Sequence, residues 1–411
     1  MGIGGNYSPV MNLGRRFNIT NHAPETQLGR GLHRRANFRA FTENMKAFAL
    51  GCLAAFMILE ITLRCFNAFE MRIQGDRIFL PKNRHYKILN TSIPGLDRYI
   101  THTKNSLGLR GAELPPNAHD GLLFVTVGGS TTECFYISDG QTWPDLLGKK
   151  MSSQFNHFYV NNAGLDGHST FGHIILMNGT LCRLKPNFVL FLVGNNDVGR
   201  DDLRDFDRNG IKETATAFFR HRILTKSRVL SFLYILIMKN KTINHSLNHS
   251  PLNFQTKINV PDGERSRLLE VHRTKHLKGY EERLQHLIDL SKQCSIQPLL
   301  VTQPALYGTA KDPVTGTDLS KIDVHGIDGE TAWKVLELYN EVTRRVAKRN
   351  QVFLIDLAQQ MPKSSEFFYD AIHFTNAGAS KVAQIIYQSL CPYIAEHKKE
   401  FLNGSCSAGP T

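Results

Sequence analysis

Four short groups of residues in this chain have the types and spacing that acyl chemistry requires. "GGSTTE" (128–133) puts a serine behind two glycines at the end of an apolar run, and "NNAGLDGHST" (161–170) carries Gly164 and Gly167. "GNNDVG" (194–199) carries Asn195, Asn196 and Asp197, while "YDAIHFTNAG" (369–378) holds Asp370 three residues before His373. A serine hydroxyl is a weak nucleophile until a base takes its proton during attack, and histidine can do this near neutral pH. Such assistance is worth roughly 10²–10⁴ in rate. A carboxylate beside the imidazole holds its tautomer and stabilises the imidazolium. A tetrahedral intermediate also needs donors aimed at its oxyanion, each worth ~3–4 kcal/mol. The set offers Ser130 as nucleophile, His373 as base and Asp370 as the partner of that base. The Ser130 and Gly167 backbone N–H groups and the Asn196 side-chain amide are the candidate oxyanion donors. Each group alone has an ordinary structural reading as a tight turn, an Asx turn or a helix cap. Only their joint placement favours chemistry.

That placement depends on the elements that carry them. Five short, nearly uniform apolar runs, "LLFVTV" (122–127), "FYVNN" (158–162), "FVLFLV" (188–193), "PLLVTQ" (298–303) and "VFLIDL" (352–357), alternate with helical patterns. Runs of this kind between helices predict a parallel sheet covered on both faces, a three-layer α/β/α sandwich with a flavodoxin-like sheet. In such sheets ligands bind outside the carboxyl ends of the strands. Serine, glycine, asparagine and Asp-x-x-His each follow a different strand, so they converge on one edge of the sheet.

The remaining sequence sets the address. Net charge is +13, and residues 1–46 hold seven basic side chains against two acidic ones, a net of +5. No Lys/Arg stripe interleaves with aromatics, so a nucleic-acid partner is not expected. "AFALGCLAAFMIL" (47–59) is apolar and uncharged, and residues 44–63 would make about 30 Å of helix, enough to span a bilayer. Glu60 lies near its end with Arg64 one turn on for pairing. The basic segment precedes the helix, which predicts a single-pass anchor in the cytoplasmic membrane, N-terminus inside and the bulk outside. Residues 1–43 read as a disordered basic tail, 44–64 as the anchor and 65–117 as a connecting segment. Residues 118–397 are the folded domain, with 198–290 as an insertion, and 398–411 a C-terminal tail. The apolar stretch "RVLSFLYILIMK" (228–239) within the insertion reads as a packed helix too short to span. The seven cysteines (52, 65, 134, 182, 294, 391, 406) are scattered and odd in number, with no metal-site spacing. They read as isolated small hydrophobes more than as a disulfide framework, with a bridge left open, and no metal or other cofactor is expected.

The four blocks, taken together, resemble the SGNH hydrolase (GDSL esterase/lipase) superfamily. "VTVGGSTTE" is similar to its nucleophile block and points to Ser130, and "VNNAGLDGHST" to its oxyanion-glycine block, pointing to Gly167. "FLVGNNDVG" suggests Asn196 as the oxyanion asparagine, and "YDAIHFTNAG" matches the Asp-x-x-His block. The resemblance covers roughly 105–395, and the lead-in "NSLGLRGAEL" looks like membrane-anchored bacterial members. Gly129 departs from the family's Gly-Asp-Ser, and Asn195 replaces a second glycine. The resemblance implies metal-free hydrolysis of an ester through an acyl-enzyme. The extracytoplasmic address adds an O-acetylated glycan or another envelope ester as substrate. Two alternatives use the same surface: acyl transfer to an envelope glycan, and a non-catalytic glycan-binding scaffold.

Overall fold

The computed structural model describes residues 27–66, 73–74, 77–78, 80–201, 227–230, 232–233, 249, 251 and 253–406. The chain divides into two units, Met1–Phe66 and Asn67–Thr411. In the first, helix α1 (Gln27–Phe66) runs for 40 residues. Helix therefore covers 27–43, part of the expected disordered tail; the rest of that tail lies outside the described residues. Leucine, arginine, alanine and lysine are good helix formers, and a helix nucleated in the apolar stretch extends cooperatively into such neighbours. Phe38–Cys65, 28 residues, is long and apolar enough to cross a membrane, a property shared by anchors and signal sequences. Its large side chains, among them Phe38, Phe48, Leu50 and Ile58, are exposed. Arg64 Nη2 pairs with Glu60 Oε1 at 2.7 Å, one turn apart as the spacing predicted.

The second unit is built on five parallel strands: β1 (Leu122–Gly128), β2 (Phe158–Asn162), β3 (Phe188–Leu192), β4 (Gln297–Val301) and β5 (Leu354–Ile355). Their spatial order is β2-β1-β3-β4-β5, with every pairing parallel. β1 and β3 are buried at every position because both faces of the sheet are covered. Alternation along β1 sends Leu122 and Phe124 into one core and Val125 and Val127 into the other. The first core is completed by helix α3 (Trp143–Ser152) and by the C-terminal helix α8 (Asn376–His397). The second is completed by α6 (Leu277–Gln293) and most of the apolar stripe of α7 (Gly329–Asn350). Side-chain caps start three of these helices: Thr142 for α3, Asp328 for α7 and Thr375 for α8.

Several boundaries differ from the sequence reading. The segment 65–117 includes an antiparallel hairpin, Arg84–Leu89 with Tyr99–Lys104, and Arg110 pairs through its backbone with Asn162 of β2. It is integral to the domain, not a connector. The interval 198–290 contains helix α5 (Asp262–Val271) and most of α6, the crossover from β3 to β4; of the run 228–239, only 228–230 and 232–233 are described. The C-terminal segment is pinned down as far as Cys406, with Leu402 bridging to Phe155. The expectation for the cysteines is overturned: Cys182–Cys294 and Cys391–Cys406 are disulfides. The first joins positions 112 residues apart in sequence, which only the fold brings together.

Candidate active site

The chain leaves β1 into a one-turn helix, α2 (Ser130–Glu133), so the serine sits at the carboxyl edge of the sheet, where the strand order reverses. Space around this turn is exhausted. A Cβ on Gly128 would lie 2.5 Å from the Leu192 carbonyl, and one on Gly129 would lie 2.2 Å from Asn196 Nδ2. Glycine at 129 is therefore what lets the Asn196 amide approach the turn that carries Ser130. A Cβ on Gly164 would meet the Glu133 backbone N at 2.4 Å, so the loop after β2 packs equally closely on α2.

Asp370, His373 and Ser130 form one chain of hydrogen bonds. His373 Nε2 lies 2.6 Å from Ser130 Oγ, and His373 Nδ1 lies 2.6 Å from Asp370 Oδ2. Asp370 Oδ1 accepts the backbone N–H of Ile372 at 2.9 Å and of His373 at 2.7 Å, so the carboxylate shapes its own loop. Burial pushes the Asp370 carboxyl up, but attraction to His373 and these three hydrogen bonds outweigh it and hold the group at about 2. It is ionised across the neutral range.

The three candidate donors lie on α2 and on the loops that follow β2 and β3. Gly167 occupies a turn at φ +75°, a left-handed conformation natural to glycine. The Gly167 and Ser130 N–H groups donate to no acceptor among the described residues. Asn196 Nδ2 donates to the His168 carbonyl at 3.0 Å, joining the loops after β2 and β3. Asp197, fully buried, accepts from the Thr170 N–H and from Arg283 Nη2 at 3.3 Å, which fixes the loop that presents Asn196.

Some positioning residues carried no signal in the sequence. Glu133 accepts from Lys104 Nζ at 3.0 Å and from the Asp166 N–H at 2.7 Å. One carboxylate thus ties α2 to the turn that presents Gly167. Arg110, only 1% exposed, donates to the carbonyls of Glu133, Cys134 and Ile137 and pairs with Asp139. It is the guanidinium of the lead-in "NSLGLRGAEL", and its five donors suit a cluster of backbone acceptors as lysine's ammonium would not. His249 stacks on His373 and reached the site unannounced from within 198–290.

A cleft of about 470 Å³ opens beside these groups. Asn195, Asn196, Ala371 and Ile372 line it, together with the aliphatic Val324, Val335 and Leu336 and the polar Arg200, His272 and His325. Among the described residues, His249, Asp370 and His373 each bring a ligand-type atom within 4.8 Å of the others. Imidazole lone pairs lie in the ring plane, and the two rings are stacked at 19°, so these nitrogens do not converge on one ion.

The family model for GDSL-like lipase/acylhydrolases matches residues 126–381, more than half of the chain. The chain belongs to this family of SGNH hydrolases and is an ester-hydrolysing enzyme. Similar solved structures include a lipase/acylhydrolase from Enterococcus faecalis, at 15% identity over 70% of this chain and 100% of that one, TM-score 0.38. An acetylxylan esterase from Geobacillus stearothermophilus shares 13% identity over 66% and 94%, TM-score 0.38. A GDSL-like lipase from Bacteroides thetaiotaomicron shares 12% over 70% and 93%, TM-score 0.35. No curated protein matches the chain.

Proposed function

We propose that this enzyme is a membrane-anchored serine ester hydrolase that works through an acyl-enzyme on Ser130, outside the cytoplasmic membrane. The observation that carries the reading is the continuous link from Ser130 Oγ through both nitrogens of His373 to Asp370, 2.6 Å at each step. Ser130 Oγ attacks the ester carbonyl carbon as its proton passes to His373 Nε2. Asp370 stays ionised and stabilises the imidazolium. The oxyanion is held by the Ser130 and Gly167 N–H groups and the Asn196 amide. As the intermediate collapses, His373 returns the proton to the leaving alkoxide. A water then enters, His373 removes its proton, and the acyl–serine bond is cleaved by the same sequence.

The extracytoplasmic address rests on two features. Disulfides such as Cys182–Cys294 and Cys391–Cys406 persist in oxidising compartments. The basic residues lie on the N-terminal side of the apolar stretch 47–59, the orientation signal for an inside N-terminus. The substrate is then an ester of the cell envelope. The cleft beside Asn196 and Ile372 has aliphatic walls at Val324, Val335 and Leu336 and polar ones at Arg200, His272 and His325, which leaves room for an acyl group longer than acetyl and for a polar alcohol portion. Hydrolysis of aryl esters of increasing acyl length, by wild type and Ser130→Ala, tests this. The reading predicts activity that rises beyond acetyl and disappears in the variant. Adding a saccharide acceptor separates hydrolysis from transfer: free acid as the dominant product supports the hydrolase, and acylated sugar overturns it.

A further inference from the structure

His249 is the one described side chain of the 202–252 interval that reaches the catalytic constellation, and no motif accounts for it. Its imidazole lies face to face with that of His373, with centroids 3.9 Å apart and planes 19° apart. His249 Nδ1 is 2.6 Å from the Tyr369 hydroxyl, and the Tyr136 ring meets His249 edge-on at 5.1 Å. Tyr369 is itself 7% exposed, lies parallel to His373 at 14°, and donates its backbone N–H to the His373 carbonyl at 3.0 Å. One face of the catalytic base is thus covered by a ring that is anchored to the residue immediately before Asp370.

We propose that His249 is a positioning residue of this active site: its ring, anchored by Tyr369, holds the His373 imidazole in the plane that serves both Ser130 and Asp370. The inference rests on the assignment of Ser130, His373 and Asp370 made above. The physical need is plain. Two hydrogen bonds fix a ring's in-plane direction well, but rocking about the line joining its two nitrogens is opposed only by contacts on its faces. A stacked ring supplies that contact and excludes water from the same face. It must also be uncharged, because His373 becomes a cation at each step and a second cation at stacking distance would oppose it. Burial and the neighbouring His373 hold His249 down at about 3, against weaker attraction from Asp370 and Glu133, so it stays neutral over the working range.

The test compares His249→Ala, His249→Phe and His249→Lys with wild type and Ser130→Ala on one aryl ester. Displacement of a catalytic group by an ångström costs on the order of 10² in rate. His249→Ala is therefore expected to lose about tenfold to a hundredfold in kcat with KM within about threefold. Phenylalanine restores the stacked face and is expected to recover kcat to within about threefold of wild type, and lysine to fall below alanine. Thermal melting of each variant confirms that a folded enzyme is being compared. Wild-type kcat in His249→Ala overturns the proposal, as does a folded His249→Phe no better than alanine. A raised KM at unchanged kcat would make His249 a substrate contact and overturn it equally. Activity remaining in Ser130→Ala would instead sink the underlying catalytic assignment, whatever the His249 series showed.

Discussion

Replacing Asp370 by asparagine probes the catalytic chain through its geometry. Oδ1 of Asp370 accepts two backbone N–H groups, from Ile372 and His373, while Oδ2 faces His373 Nδ1 at 2.6 Å. Asparagine has one acceptor, and the two backbone donors claim it. Its NH₂ must then face Nδ1, which has to present a lone pair, so the ring proton moves to Nε2 and points at Ser130 Oγ. A histidine already protonated on Nε2 cannot take the serine proton. Turning the amide over strands both backbone donors against an NH₂ group, at about 1–3 kcal/mol each, so it gives no escape. The expected loss is roughly 10⁴ in kcat, or ~5 kcal/mol of barrier, with little change in KM. The same carboxylate supplies a stability signature. Its pKa of about 2 lies below the unfolded value of about 4, so its contribution is present above pH ~4 and lost as pH falls through ~2. That increment is roughly 2 kcal/mol, and wild type should lose it over this window while Asp370→Asn does not. Steady-state kinetics at neutral pH and urea melts across the acid range measure both. An asparagine variant that keeps more than about a tenth of wild-type kcat would refute the reasoning.

Other perturbations have equally definite outcomes. A Cβ on Gly129 would displace the Asn196 amide, from which it would lie 2.2 Å. Gly129→Ala should therefore cost about 10² in kcat, like Asn196→Ala, and the double variant should lose little more than either, as a double-mutant cycle would show. Removing the Cys182–Cys294 bridge, which closes a 112-residue separation, should cost ~4–5 kcal/mol, and removing Cys391–Cys406, separated by 15, about 3 kcal/mol. Denaturant melts of the cysteine variants, with and without reductant, check the order of the two effects. Arg110→Lys should destabilise by about 3 kcal/mol or more because a lysine cannot serve the carbonyls of Glu133, Cys134 and Ile137 together. Its melting temperature should lie close to that of Arg110→Ala.

What the sequence made legible follows from periodicity and strand ends. Strands buried on both faces leave uninterrupted apolar runs, so all five were visible, although β5 pairs over only Leu354–Ile355 of the run 352–357. The hydrogen-bonded chain Ser130–His373–Asp370 was legible because its members follow different strands of a sheet whose topology brings those ends together. Residues that act from elsewhere gave no such signal. Glu133 and Lys104 form a buried pair across 29 positions, and Cys182 finds Cys294 across 112; neither distance leaves a trace in a single sequence. His249 lies in the polar stretch "NHSLNHS", where nothing distinguishes it from its neighbour His245. The segment 65–117 read as a connector because its hairpin strands are largely polar and partly exposed, so hydrophobic patterning missed them.

The central claim is that Ser130 is a nucleophile activated by His373. Labelling of the folded full-length protein with a fluorophosphonate, followed by mapping of the modified peptide, tests it most directly. The account predicts one covalent adduct on Ser130, abolished in Ser130→Ala and slowed by orders of magnitude in His373→Ala. A folded wild-type protein that stays unlabelled, or an adduct on another residue, would contradict it.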